Sequence, residues 1–161
     1  MIYRRLRTPL LVAHIAMSVG FFGAVAVFFC LAVTGLMVSD VALANASYAV
    51  MPQITWSVIL PLAAVSLIVR ILQSVLSPWG LVRHYWVVVK LAMTVVIAGV
   101  LILQTGTIER LGDAGTQAAI ESAGRAARYS VVLHSGVGLV ALLVTLVLSV
   151  AKPKGLTGWN L

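Results

Sequence analysis

The chain has 161 residues, of which 61% are hydrophobic and only 9% are charged. Soluble domains carry about 25% charged residues, so this composition excludes a soluble globular protein and predicts an integral membrane protein. The formal net charge of +7 would favour nucleic acid binding in a soluble protein. Here we expect the basic residues to set the orientation in the membrane, and we predict no nucleic acid partner.

Four apolar runs are each long enough to cross a hydrocarbon core of about 30 Å. The sequence therefore predicts an all-α membrane protein, a four-transmembrane-helix bundle that forms one domain over residues 1–161. The first run is about twice as long as the apolar region of a signal peptide, so we expect it to be a membrane helix. In chain order the runs are Leu10–Val38, Ile54–Leu76, His84–Gln104 and Val131–Val150.

The predicted connections are two loops on one side of the membrane and a tight turn on the other. Ser39–Gln53 is predicted as a short outer loop, and Ser77–Val82 as the inner turn. Thr105–Arg128 is the longest predicted outer loop, and its pattern over 107–127 is typical of a short amphipathic helix on the membrane surface.

Basic residues unaccompanied by acidic ones precede the first run, separate the second from the third and follow the fourth. Cytoplasmic segments of membrane proteins carry an excess of Lys and Arg. We therefore expect both termini to be cytoplasmic. The residues in question are Arg4, Arg5, Arg7, Arg83, Lys152 and Lys154.

Two cations lie inside the apolar runs. A charged side chain near the centre of a membrane helix costs roughly 2.5–3.5 kcal/mol, so Arg70 and Lys90 should face a partner, a ligand or water. His14 lies near the start of another run. A rise of about 1.5 Å per residue brings all three into the cytoplasmic half of the bilayer. No carboxylate is expected at that depth, which predicts an anionic guest. The alternative is that both cations extend to the inner head groups and only anchor their helices.

Helical spacing adds polar neighbours to this predicted site. Ser18 follows His14 by four residues, and Lys90 follows Trp86 by four, so each pair shares a helix face. The predicted site therefore comprises His14, Ser18, Arg70, Trp86 and Lys90.

The two remaining histidines, His84 and His134, lie outside this predicted site. His84 belongs to an interfacial aromatic cluster. His134 lies in the outer half, more than about 10 Å from His14 along the membrane normal, so the two cannot ligate one iron. His134 is as consistent with a packed polar residue as with a second metal ligand.

The stretch His14-Ile-Ala-Met-Ser-Val-Gly-Phe-Phe-Gly-Ala resembles the first helix of the haem-dependent protoporphyrinogen oxidases and of the copper-resistance D family. Trp86-Val-Val-Val-Lys90-Leu91 is similar to the opening of a middle helix in those oxidases. The resemblance implies haem b, with His14 as axial ligand to the iron and with Arg70 and Lys90 near the propionates or the substrate. Those oxidases have a histidine close before the lysine, where this chain has valines.

A longer likeness includes Pro78-Trp-Gly-Leu-Val-Arg-His-Tyr-Trp86 and Lys152-Pro-Lys-Gly-Leu-Thr. It is to uncharacterised four-helix integral membrane proteins of actinobacteria and bacilli. This resemblance implies a multi-pass protein of the bacterial cytoplasmic membrane and brings no activity with it.

We therefore expect a small membrane protein that binds haem or another anionic amphiphile, with a redox role where the ligand is haem. One alternative is a non-catalytic accessory or assembly subunit that binds other membrane subunits or a second copy of itself. The other is a small transport or proton-relay component that uses His14 and Lys90. Membrane lipid is the partner common to all three, and whether the chain is an enzyme stays open.

Overall fold

A computed structural model describes residues 2–76, 84–113 and 124–151. Within these ranges the chain is helical except at residues 38–40 and at His84. The elements are α1 (Ile2–Met37), α2 (Val41–Ile54), a π-helical segment (Thr55–Ile59), α3 (Leu60–Leu76), α4 (Tyr85–Asp113) and α5 (Gly124–Ala151).

Four helical segments of the described chain are long and apolar enough to cross a membrane. α2, the π-helical segment and α3 run on without a break and make up the second of them. This confirms the predicted all-helical membrane class, and the helices fit a four-helix bundle. The segments are Thr8–Met37, Val41–Gln73, Tyr85–Asp113 and Gly124–Ser149.

Neighbouring segments run antiparallel around the bundle. α1 packs against α2, α3 and α5, and α4 packs against the same three helices. The start of α1 therefore shares one end of the bundle, here called the N-terminal end, with the end of α3, the start of α4 and the end of α5. The defining pairs are Leu10 with Gln73, Gly35 with Tyr48, Pro52 with Gly112, and Lys90 with Ser149.

The prediction of a loop over Ser39–Gln53 is wrong, because the second segment is already helical from Val41. Asp40 caps this helix, its carboxylate accepting a hydrogen bond from the backbone N–H of Ala42 at 2.9 Å. Pro52 lies inside the helix, and the π-helical segment follows directly after it. The widening of this segment lies where Pro61, the next proline, would clash with the carbonyl of Ser57 four residues before it, so it allows the helix to continue through that proline.

The predicted loop over Thr105–Arg128 is also helical at both of its ends. α4 continues to Asp113 because Ile108 and Leu111 are buried against the rest of the bundle. α5 begins at Gly124, whose φ of 81° is the left-handed conformation that favours glycine. The predicted surface helix over 107–127 is thus replaced at its two ends by α4 and α5, and its centre lies outside the described residues.

The other connections predicted from sequence, Ser77–Val82 and the segment after Ala151, lie outside the described residues as well. The core between the helices is formed by aromatic and aliphatic side chains such as Phe21, Phe28 and Ile59. Valines and leucines at the bundle surface are exposed, as expected for side chains that face lipid.

Candidate functional site

Two contacts fix the register of α1 against α3. The side-chain amide of Gln73 donates a hydrogen bond to the carbonyl of Leu10 at 2.8 Å. Further along, a methyl group placed on Gly20 would lie 3.8 Å from the methyl carbons of Leu62. Because both helices are regular and antiparallel between these contacts, Arg70 lies at the level of His14, and Ser66 lies at the level of Ser18.

Five buried polar atoms in these two layers have no hydrogen-bond partner among the described residues. They comprise an imidazole nitrogen, two hydroxyl oxygens and two guanidinium nitrogens. A polar group buried without a hydrogen bond costs free energy, so such a concentration marks a place where a ligand would be stabilising. The atoms are His14 Nδ1, Ser18 Oγ, Ser66 Oγ, and Arg70 Nε and Nη1.

The second predicted cation, Lys90, contributes from across the bundle. It lies near the start of α4, and its contact with Ser149, together with the packing of Gly136 on Phe29, places it within a turn of the level of His14. The structure thus brings together His14, Arg70 and Lys90 from three different segments at the N-terminal end of the bundle. All three were singled out from the sequence.

Lys90 nevertheless differs from Arg70 in its surroundings. Its ammonium group donates a hydrogen bond to the hydroxyl of Ser149 at 2.8 Å and lies 4.7 Å from the ring centre of Trp86. A cation over an indole ring is stabilised by about 0.5–2 kcal/mol. Lys90 is therefore held by protein groups. The contribution of Trp86 to the site is its contact with the Lys90 ammonium group. Of these two cations, Arg70 is the one whose buried donors have no partner among the described residues.

Two other unpartnered atoms, Tyr48 Oη and Arg128 Nε, lie at the opposite end of the bundle. The atoms around Arg70 instead lie together in two adjacent layers, and none of the side chains that carry them supplies a negative charge to compensate the guanidinium group.

His134 is far from His14, as the sequence predicts. Gly136 on α5 packs against the ring of Phe29 on α1, which puts His134 about 25 Å from His14 along the bundle axis. His134 Nδ1 lies 2.6 Å from Gln104 Nε2 and 2.7 Å from the carbonyl of Ser130. In the described part of the chain no group of three or more His, Cys, Asp or Glu side chains could hold a metal ion.

Comparison of this chain with protein-family models, with curated proteins and with solved structures found no match. The resemblance to the haem-dependent oxidases therefore stays a prediction from the sequence, based on His14, Arg70, Trp86 and Lys90 and the short stretches around them. The function has to be inferred from the chemistry of the site itself.

Two features of the site were missed in the sequence. Ser149 is the partner of Lys90, and the sequence contains a coarse signal, because both residues lie within about a turn and a half of the helix ends that meet at the N-terminal end of the bundle. The hydrogen bond of Gln73 to a backbone carbonyl carried no signal, since any residue at position 10 offers the same oxygen.

Proposed function

We propose that this protein binds an anionic amphiphile through Arg70 in the cytoplasmic half of the membrane, with His14, Ser18 and Ser66 as hydrogen-bonding partners of the anionic group. The observation that carries the proposal is the cluster of five buried polar atoms without partners among the described residues. A guanidinium group pairs with phosphate or carboxylate through charge-assisted hydrogen bonds, which are about twice as strong as neutral ones.

The burial of Arg70 argues against a role as a simple anchor. An arginine that only anchors its helix extends its guanidinium group to the head groups and keeps it in water. Two of the three nitrogens of Arg70 are instead buried and face no hydrogen-bonding partner among the described residues. An anion bound at this position would accept hydrogen bonds from these guanidinium donors, whose burial without partners otherwise costs free energy.

The ligand class is set by location and charge. The site lies inside a segment that is apolar enough to cross a membrane, so the ligand has to combine an anionic head with an apolar body. Lys90 adds a second positive charge at the same end of the bundle, which strengthens the preference for an anion. The positive-inside rule assigns the N-terminal end of the bundle to the cytoplasmic side.

Haem is the specific member of this class that the sequence resemblance implies. Its propionates would pair with Arg70, and the imidazole of His14 offers a nitrogen for the iron. Haem bound there would supply one-electron redox chemistry. The accessory-subunit and proton-relay roles remain the alternatives to this proposal.

The test is ligand retention. Wild type, Arg70→Met and Arg110→Met are purified in mild detergent, and their bound lipids and cofactors are measured by mass spectrometry and by absorption spectroscopy. Arg110 is the matched control because it is an exposed arginine near the far end of α4. We expect wild type and Arg110→Met to retain an anionic amphiphile that Arg70→Met loses. Equal retention in all three proteins would overturn the proposal.

If the retained ligand is haem, an absorption band that changes on reduction should be present in wild type. That band should disappear in His14→Ala and persist in His84→Ala. A colourless wild-type protein that still retains an anionic lipid through Arg70 would remove haem and keep the wider ligand class.

A further inference from the structure

A cavity of about 360 Å³ lies between α4 and α5, away from the Arg70 site. Its floor is formed by core side chains of α1, among them Phe21 and Phe28. Val96 and Val137 line it from the two sides and are 62% and 60% exposed at the bundle surface. The cavity is therefore a cleft that opens sideways, towards the lipid.

Two polar contacts between α4 and α5 hold the helices together on either side of this cleft. One is the hydrogen bond from Lys90 to Ser149, and the other is the bond from Gln104 Nε2 to Ser130 Oγ at 2.9 Å. The two contacts are about 21 Å apart along α4. Between them Ala92, Gly138 and Ala141 are among the residues that line the cavity, and a Cβ added at Gly138 would meet no atom within 4 Å. The cleft is thus open space at a defined place in the fold.

The walls are apolar except at one end, where Gln104, His134 and Ser135 line the cavity. The lining residues of the described chain include no Lys, Arg, Asp or Glu. Ser135 donates its hydroxyl proton to the carbonyl of Val131 on its own helix. Gln104 and His134 are therefore the two lining residues that can form a hydrogen bond with a ligand.

His134 keeps one ring nitrogen for an external partner. Its Nδ1 is engaged with Ser130 and Gln104, whereas its Nε2 makes no hydrogen bond with the described residues. If Nδ1 donates to the Ser130 carbonyl, Nε2 can accept; if Nδ1 accepts from Gln104, Nε2 donates. Either tautomer presents one neutral hydrogen-bonding atom at the polar end of an apolar cleft.

We propose that this cleft binds a second, neutral amphiphile, whose oxygen-bearing head hydrogen-bonds to His134 and Gln104 and whose apolar tail lies between α4 and α5. The volume lies within the 300–1,000 Å³ range of small-molecule pockets. A charged head is disfavoured, because the lining offers no opposite charge to compensate its desolvation. A monoacylglycerol, whose hydroxyls donate and accept, suits either tautomer, whereas a prenylated quinone, whose oxygens only accept, requires the tautomer in which His134 Nε2 donates.

The experiment compares two substitutions of helix glycines. Gly138→Leu fills the cleft, whereas Gly99→Leu adds the same side chain to α4 at a position that is also open but does not line the cavity. Purified wild type, both variants and Gln104→Leu are titrated with decyl-ubiquinone and with monododecanoylglycerol. Dodecanoate serves as the charged comparison, and Arg70→Met is included to separate the two sites.

We expect at least one neutral probe to bind wild type, Gly99→Leu and Arg70→Met with similar Kd values, and to bind more tightly than dodecanoate does to Arg70→Met. Gly138→Leu and Gln104→Leu should each raise that Kd about tenfold or more while the helical circular dichroism is unchanged. Which probe binds identifies the head group. Binding by neither neutral probe, or equal binding by Gly138→Leu and wild type, would overturn the proposal. Loss of binding in Arg70→Met as well would show that the probe occupies the Arg70 site and would also overturn it.

Discussion

Replacing Arg70 by methionine should stabilise the ligand-free protein, although most core substitutions destabilise. Two guanidinium nitrogens of Arg70 are buried without partners among the described residues, and Met is an apolar side chain of similar length. An unsatisfied buried donor costs about 1–3 kcal/mol in soluble proteins. Polar interactions inside membranes average about 0.6 kcal/mol, because the unfolded chain also finds partners there. With two donors involved, we expect Arg70→Met to raise the free energy of unfolding by about 1–3 kcal/mol.

The assay is unfolding by urea in a neutral maltoside detergent, followed by circular dichroism, on protein stripped of lipid by detergent exchange. Arg110→Met is the control and should change the free energy of unfolding by no more than about 0.5 kcal/mol, since Arg110 is exposed. Adding an anionic amphiphile at about 100 times its Kd should stabilise wild type by about 2.7 kcal/mol and leave Arg70→Met unchanged. If ligand-free Arg70→Met instead has a free energy of unfolding about 1 kcal/mol or more below that of wild type, the reasoning is wrong. That result would mean that Arg70 makes stabilising contacts within the protein.

Three further predictions concern the fold. Gly35→Ala should lower the free energy of unfolding by about 1–3 kcal/mol, because the added carbon would lie 2.7 Å from the Tyr48 ring. Asp40→Ala should cost about 0.5–2 kcal/mol through loss of the N-cap of α2. Both are measured by the same unfolding titration. In intact cells, a cysteine at Ser39 should react with a membrane-impermeant thiol reagent, whereas one at Gly155 should react only after the membrane is opened.

The controls for these predictions come from the same helices or the same background. Gly23→Ala adds a methyl group to α1 in open space and should not destabilise the protein. The labelling experiment needs Cys30→Ala, since Cys30 is exposed. Destabilisation by Gly23→Ala equal to that by Gly35→Ala would contradict the packing argument. Labelling of position 155 from outside would reverse the assigned orientation.

The four membrane-crossing segments were predictable because hydropathy depends only on composition over about 20 residues. The start of the second segment was not predicted, since Pro52 and the polar residues before it are typical of a loop. In the fold Pro52 packs against Gly112, and Tyr48 is 1% exposed against Gly35. These tertiary contacts override the local preference of the sequence, and no local pattern reveals them.

In the candidate site, too, one part could be predicted from the sequence and another depends on tertiary contacts. That His14 and Arg70 lie at one level follows from helix lengths and the alternation of direction, so the sequence contains it. Which of the two cations has hydrogen-bond partners within the protein does not follow from the sequence. Lys90 is held by Ser149 and Trp86, whereas Arg70 has no described hydrogen-bonding partner at two of its nitrogens. Side-chain packing determines these partners. Because the unpartnered donors belong to Arg70, we expect the anion to bind to Arg70 rather than equally to both cations.

The proposed role of Arg70 as the receptor of an anionic head group can be tested with a pair of probes that differ only in the head. Dodecyl phosphate and dodecanol have the same apolar chain, so their difference in Kd reports the head group. We expect wild type to bind dodecyl phosphate at least about tenfold more tightly than dodecanol, a difference of about 1.4 kcal/mol that Arg70→Met abolishes. An equal preference for the phosphate in wild type and Arg70→Met, or no preference in wild type, would show that Arg70 does not receive the anion.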